Sequence, residues 1–380
     1  MNDNHLQKLK AKSFIFRSRF LDIMNYPIIR FETFFSAFSL LRYSEADLVK
    51  RFANLYGFQP ENLFFTKNGR SSISLYLETI GVTQKDEIII AAFNCFVVPQ
   101  AILSVNAKPI FIDINEKFQI DINELQHSIN DKTKCIIVPV HDGFINDFSA
   151  IYELAKKRNI KVLIDAAHCM PTKKIFDYFC NNQVRVDGIV FSFSHSKNFS
   201  LMCGGMLYIS DYRLSVTMQN VANATFVKAN GFIEIIRVMN LFLWSVLAKY
   251  PLFDVLIRLF QRIFVLPEIT KKELTGVVSK DNNNQRILKY KLALLIRNID
   301  YFEDWVELRR RNYNFYKKFL QSSQVKIPNL DNEFSTPLHC PIIYEGNVDE
   351  LLGNLFSHNI YVDRWFSPQM FPNGNYHATM

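Results

Sequence analysis

Between residues 61 and 210 the chain alternates short, nearly continuous apolar runs with stretches of helical periodicity. No other feature restricts the fold as much. The runs 87–92, 108–113, 135–140, 161–165, 188–193 and 205–210 read as strands, with helical patterns at 97–104, 121–129 and 148–157. A strand that is apolar on every position is covered on both faces, and strands joined through helices run parallel. The expectation is an α/β fold: a mostly parallel central sheet with helices on both faces. Ligands of such sheets bind at the carboxyl ends of the strands. Asp165 (after Val-Leu-Ile), His141 (after Val-Pro-Val) and the loop from Ser192 to Lys197 all fall at such ends.

Around this alternation the chain divides into four parts. Residues 1–60 form a helical N-terminal segment, amphipathic over 44–56. Residues 61–210 form the large α/β domain, 211–280 an apolar helical insertion, and 281–380 a smaller, short C-terminal α/β domain. The last part starts with Asp281-Asn-Asn-Asn-Gln-Arg286, followed by a long helix expected to run to about Asn314. The stretch 231–266 is dense in Phe, Leu, Ile and Val. Its charges leave no span near the ~20 apolar residues that cross a bilayer. It reads either as a helical hairpin in peripheral contact with a membrane surface or, preferably, as an insertion packed on the body or on a second subunit.

With 380 residues and 49% apolar content the chain can bury a large core, which excludes a disordered protein. A net charge of +8 suits acidic partners. Arginine blocks, zinc-finger spacing and aromatic RNA-binding signatures are missing, so nucleic acid is not the expected partner. The six cysteines (95, 135, 169, 180, 203 and 340) form no C-x-x-C pair and read as reduced thiols. The polar start Met-Asn-Asp-Asn-His lacks the apolar core of a signal peptide, and a cytoplasmic protein is expected.

Three short stretches carry chemistry. A strand running into Asn68-Gly69 and then a helix leaves backbone N–H groups open to an anion, with Ser71 and Ser72 as caps and hydroxyl donors. An ordinary capped turn has the same look. Lys197, just past a buried strand, is a nucleophile if its amine is desolvated, and otherwise a surface lysine. Asp165 is a carboxylate at a strand end or a helix cap, and His168 a site residue or a satisfied core histidine.

Asn68-Gly-Arg-Ser, Asp165-Ala-Ala-His and Phe191-Ser-Phe-Ser-His-Ser-Lys-Asn occur in one order and spacing. More loosely, so do Ala-Lys-Pro-Ile-Phe-Ile-Asp (107–113) and Asn284-Gln-Arg286. In these the chain resembles the sugar aminotransferases of the DegT/DnrJ/EryC1/StrS family, of the pyridoxal-phosphate-dependent transferase fold type I. The resemblance runs from about residue 61 to 210 and resumes at 282–316. It implies pyridoxal 5'-phosphate as cofactor, with Gly69, Arg70, Ser71 and Ser192 at its phosphate. It also implies Asp165 at the pyridine nitrogen, His168 on the ring hydroxyl side and Lys197 as the Schiff-base lysine. Asn284 and Arg286 would reach a neighbouring subunit's site, which implies a homodimer with shared active sites. Arg286 and Arg364 are candidates for a substrate's diphosphate or a donor's carboxylates. The implied activity moves an amino group from an amino acid, glutamate foremost, to a keto-sugar nucleotide. The pathways this suggests are surface polysaccharide, lipopolysaccharide or amino-sugar synthesis.

The chain departs from the family's pattern where Cys95 stands for the aromatic residue that stacks on the cofactor, so that Phe96 or Phe93 must replace it. The family's glycine run after the lysine is reduced to Met-Cys-Gly-Gly (202–205), and the closing helix and strand of the small domain are not evident. Two other readings stand beside the aminotransferase. One is a sugar dehydratase of the same family, which would carry histidine in place of Lys197. The other is a non-catalytic member acting as a membrane-associated scaffold or regulatory subunit.

Overall fold

Seven strands form one sheet: β1 (Leu63–Thr66), β2 (Glu87–Ala91), β3 (Lys108–Ile112), β4 (Thr133–Pro139), β5 (Lys161–Asp165), β6 (Gly188–Ser192) and β7 (Gly205–Ile209). Across the sheet their order is β1-β7-β6-β5-β4-β2-β3. The pairs from β3 through β6 are parallel, and β7 is antiparallel to both β6 and β1. Only β7 therefore runs against the rest. The computed structural model describes residues 29, 31–181, 186–194, 197–229, 232, 236, 238, 239, 242, 284–320, 325–328 and 332–357.

The apolar runs feed two cores because side chains alternate across a strand. Ile89, Ile136, Val138, Ile164, Ile189 and Phe191 face one layer. Their chain neighbours Ile88, Ile90, Ile137, Leu163 and Val190 face the other. The first layer is covered by the helices Glu45–Tyr56, Ser149–Lys157, Lys173–Asn181 and Lys289–Asn298. Gly69–Thr79, Val97–Ser104 and Tyr212–Thr225 cover the second. The edge strand β3 is partly exposed and carries Pro109, which an edge tolerates because it needs no N–H donor there.

The C-terminal part departs from the single long helix expected between Arg286 and about Asn314. Residues 285–287 lie extended along β1, with Lys67 N donating to Gln285 O (2.8 Å) and Ile287 N to Phe65 O (3.2 Å). Two helices follow, Lys289–Asn298 and Phe302–Leu320, separated by the 3₁₀ turn Ile299–Tyr301. Asn298 explains the break. Its buried amide donates to Leu294 O at 2.7 Å and accepts from Thr33 Oγ1 at 3.0 Å, a side-chain alternative to continued helix. A two-stranded pair, β8 (Val325–Lys326) and β9 (Ile343–Tyr344), and the helix Val348–Ser357 complete the described fold. Most of the expected 211–280 insertion, His195 and Arg364 lie outside the described residues. Among those residues no helix is long and apolar enough to cross a membrane.

Candidate active site

β1, β2, β4, β5 and β6 end on one edge of the sheet, and β7 begins there. The Gly69–Thr79 helix starts on the same edge. Its cap is Asn68 rather than Ser71 or Ser72: Asn68 Oδ1 accepts from Ser71 N (2.9 Å) and from the Ser71 hydroxyl (3.1 Å). The Ser72 hydroxyl is buried against Thr66 Oγ1 at 2.7 Å. Close packing fixes this turn. A Cβ on Gly205 would lie 2.5 Å from Asn68 O and Thr66 Oγ1, and one on Gly69 would lie 3.2 Å from Ser192 Cβ. The helix N-terminus therefore abuts the end of β6, where Ser192 adds a hydroxyl beside the first backbone amides of the helix. Helix dipole, amides and hydroxyl together favour an anion.

Asp165 ends β5 and is 7% exposed. Burial pushes its carboxyl above the usual range; the nearby Lys197 amine and a 3.1 Å hydrogen bond from Ala167 N oppose that rise. Lys197 rides on a loop pinned at its base, where Phe193 N donates to Gly204 O and Leu201 N to Phe193 O, each at 2.8 Å. The residue as a whole is partly exposed. Burial lowers the Lys197 pKa, and Cys95, Asp165 and Asp142 resist the shift. A desolvated amine beside a buried carboxylate is the arrangement that makes a lysine a nucleophile and proton carrier.

His168 is buried, and its Nδ1 accepts from Asp142 N at 3.2 Å. Accepting at Nδ1 leaves the ring proton on Nε2. Burial, with Lys197, His141 and His339 adding to it, drives His168 well below the usual histidine range, so the ring is neutral.

A crosspiece from the C-terminal part locks these loops together. Thr336 N donates to Gly143 O and Leu338 N to Asp142 O, both at 2.8 Å. Asn198 Nδ2 donates to His168 O (2.6 Å) and Thr336 O (2.9 Å), tying the lysine loop to the loop after β5. Met170 N donates to Thr336 Oγ1 (3.0 Å) and Ile145 N to Ser335 Oγ (2.9 Å). Asp142, at φ 49°, turns its carboxylate to His339 Nδ1 at 2.6 Å. Gly143, at φ 77°, lies under the crosspiece.

The structure thus brings Gly69, Arg70, Ser71, Asp165, His168, Ser192 and Lys197 to one edge. Cys95 joins them: burial raises its pKa, while Lys197 and Arg70 act against that shift. Phe93 packs against His141 with the rings tilted (5.2 Å between centroids, 60° between planes) and approaches Phe118 (6.0 Å). Phe96 opens the Val97–Ser104 helix, partly buried. Continuing the antiparallel register of the Thr66–Arg286 bridge by two residues brings Asn284 level with Asn68. The Arg286 guanidinium engages its own chain: Asn223 Oδ1 (2.6 Å), Glu45 (3.5 Å) and the Phe64 ring (5.0 Å). Sequence reasoning missed Asp142, Asn198, Thr336 and His339. Only Asn198 had a signal, as the residue after the lysine.

Residues 44–242 match the DegT/DnrJ/EryC1/StrS aminotransferase family. The chain is 34% identical over 151 residues to a pleiotropic regulatory protein of Geobacillus stearothermophilus, covering 39% of this chain and 40% of that protein. It is 30% identical over 176 residues to GDP-perosamine synthase of Escherichia coli O157:H7, covering 45% and 47%. The chain spans under half the length of these relatives. In fold it is similar to the aminotransferase TlmJ of Streptoalloteichus hindustanus (TM-score 0.66, 15% identity, 91% of this chain and 85% of that one). It is also similar to an E. coli GDP-4-keto-6-deoxy-D-mannose-3-dehydratase with bound hydrated PLP (TM-score 0.65, 19% identity, 92% and 87%). With just over half of its residues matched by one family and these motifs assembled on one sheet edge, the chain belongs to the DegT/DnrJ/EryC1/StrS aminotransferase family.

Proposed function

We propose that this protein is a pyridoxal-phosphate-dependent aminotransferase that moves an amino group from an amino acid, glutamate foremost, to a keto-sugar nucleotide. The observation that carries this reading is the enclosure of the Lys197 amine with the Asp165 carboxyl beside an anion-binding helix start. The residues fit the cofactor. Gly69 and Ser192 approach so closely that even a methyl group would crowd them, leaving the helix amides as the facing surface. The amides of Gly69 and Arg70, with the hydroxyl of Ser192, would hold the phosphate, while the buried Ser71 hydroxyl is turned to Asn68. Asp165 would hold a proton at the ring nitrogen, a positive charge that restores the carboxylate burial disfavours. His168 would donate from Nε2 to the ring hydroxyl, and Phe96 or Cys95 would lie against the ring. When bound, pyridoxal phosphate supplies the carbonyl carbon that carries nitrogen and a protonated ring that withdraws electrons. Lys197 anchors it and moves protons at Nζ, a task suited by its lowered pKa.

The retained lysine favours transfer over dehydration, and a charged pair kept inside the fold supports chemistry over a scaffold role. The family resemblance supports a homodimer with shared active sites, to which Asn284 contributes, working in the cytoplasm. The exposed Phe232, Ile236 and Met239 at the start of 231–266 support peripheral contact with the membrane's inner face.

The test is the visible absorption spectrum of the purified protein with pyridoxal phosphate, beside Lys197→Ala. The expected result is a visible band that glutamate abolishes and that the variant lacks. No band in either protein, with both folded, would overturn the proposal.

A further inference from the structure

The altered glycine run, Met202-Cys203-Gly204-Gly205, faces a lysine that the proposed reaction does not use. Lys291 is fully buried in the first turn of the Lys289–Asn298 helix, and its Nζ lies 2.7 Å from Cys203 Sγ. N–H···O bonds run about 2.7–3.2 Å, and sulfur is a larger atom than oxygen, so this pair is closer than a thiol–amine hydrogen bond needs. Met202 (φ 64°) and Gly204 (φ 156°) hold the turn that presents Cys203, and a Cβ on Gly204 would lie 3.3 Å from Ile287 Cδ1. The pair thus sits where the lysine-bearing loop packs on the start of the 289–298 helix. Cys203 is partly exposed, so small oxidants reach it.

We propose that Cys203 and Lys291 are a modification site, joined on oxidation through one bridging oxygen atom, Sγ–O–Nζ. A separation of 2.7 Å accommodates one bridging atom, whereas a direct sulfur–nitrogen bond would require the two to move closer. The co-reactant is dioxygen. The Sγ–H bond and one Nζ–H bond break, and Sγ–O and O–Nζ bonds form. One atom of dioxygen becomes the bridge, and the other leaves as water with the two hydrogens. Sulfur and nitrogen each give up an electron pair, and dioxygen takes both. Excess thiol reductant reverses the step, returning thiol, amine and water. The consequence of the bond is to staple the loop that carries Lys197 to the 289–298 helix. The proposal stands on this geometry alone and does not depend on the aminotransferase reading.

The test uses the full chain, held in air or kept reduced, then alkylated, digested and weighed. The air-exposed sample is expected to yield a joined pair of peptides containing Cys203 and Lys291. That pair is heavier than their sum by one oxygen and lighter by two hydrogens. It disappears after dithiothreitol and is absent from Cys203→Ser and from Lys291→Met. The joined fraction melts at a higher temperature than the reduced protein. Recovery of Cys203 wholly alkylated, or oxidised only to sulfinic acid or a disulfide, would overturn the proposal. So would a joined pair without the added oxygen. Because the decisive measurement is made on the unsubstituted protein, a variant that fails to fold does not blunt it.

Discussion

Replacing Gly143 with alanine strikes the point where the C-terminal crosspiece meets the sheet edge. Gly143 has φ 77°, a conformation that costs an alanine about 1–2 kcal/mol. The new Cβ would overlap Thr336 O and lie 2.8 Å from His168 O. Both are backbone atoms, so no rotamer relieves the clash and the crosspiece must withdraw. Withdrawal breaks the bonds of Thr336 N to Gly143 O, Leu338 N to Asp142 O and Asn198 Nδ2 to Thr336 O. At about 1 kcal/mol net for each bond, the sum with the backbone strain is about 4–5 kcal/mol. That is a large share of the ~5–15 kcal/mol that holds a domain folded. Urea unfolding measures the global part. If the crosspiece detaches alone, the unfolding free energy changes less, and hydrogen exchange reads the difference as lost protection at the Thr336 and Leu338 amides. An unfolding free energy within about 1 kcal/mol of the parent, with both amides still protected, would refute the reasoning.

Acid is expected to destabilise the fold before the carboxylates titrate. Burial, weakly opposed by Asp142, pushes His141 down to about 4 from 6.5, and His168 is also lowered. The unfolded chain therefore binds more protons over that window, and stability is lost as pH falls from about 6.5 towards 4. His141 alone accounts for about 3 kcal/mol, with Asp165, shifted upward, partly offsetting the loss at the acid end. Urea midpoints that stay level across the window would contradict this. Asp165→Asn is expected to cut amino transfer at least ~100-fold. Its unfolding free energy should be unchanged or slightly higher, because a neutral amide costs less to bury than a carboxylate. Steady-state kinetics and urea unfolding check the two halves, and an undiminished rate would remove Asp165 from the chemistry.

The sheet was legible because runs such as Val162-Leu163-Ile164 and Ile88-Ile89-Ile90 are too apolar to face water on either side, and so announce a doubly covered strand. The reversal of β7 was not legible, since Gly205–Ile209 has the composition of its parallel neighbours and only pairing sets its direction. Strand ends pointed to the turn at Asn68, to Asp165 and to Lys197, but only the ordered family motifs separated them from an ordinary capped turn, a helix cap and a surface lysine. The helix Lys173–Asn181 and the break after Asn298 were hidden. In the first, the preceding Pro171 and polar lysines mask the pattern. In the second, one buried asparagine outweighs the helical periodicity around it. Asp142 and His339 escaped notice for a different reason. Nothing in Ser-Thr-Pro-Leu-His is periodic, and its partners lie far off along the chain.

That distance has a consequence for how the molecule is made. Ser335 and Thr336 bond to groups 190 and 166 residues earlier in the chain. Every strand of the seven-stranded sheet has left the ribosome well before this crosspiece is synthesised. The loops carrying Asp142, His168 and Asn198 must therefore wait, ungathered, for a late arrival to close loops of 166 and 190 residues, a slow event compared with local helix formation. A nascent chain halted just short of Ser335 would thus hold a recognisable sheet with an unfinished candidate site at its edge. In that interval the edge is open to chaperones and proteases rather than to substrate.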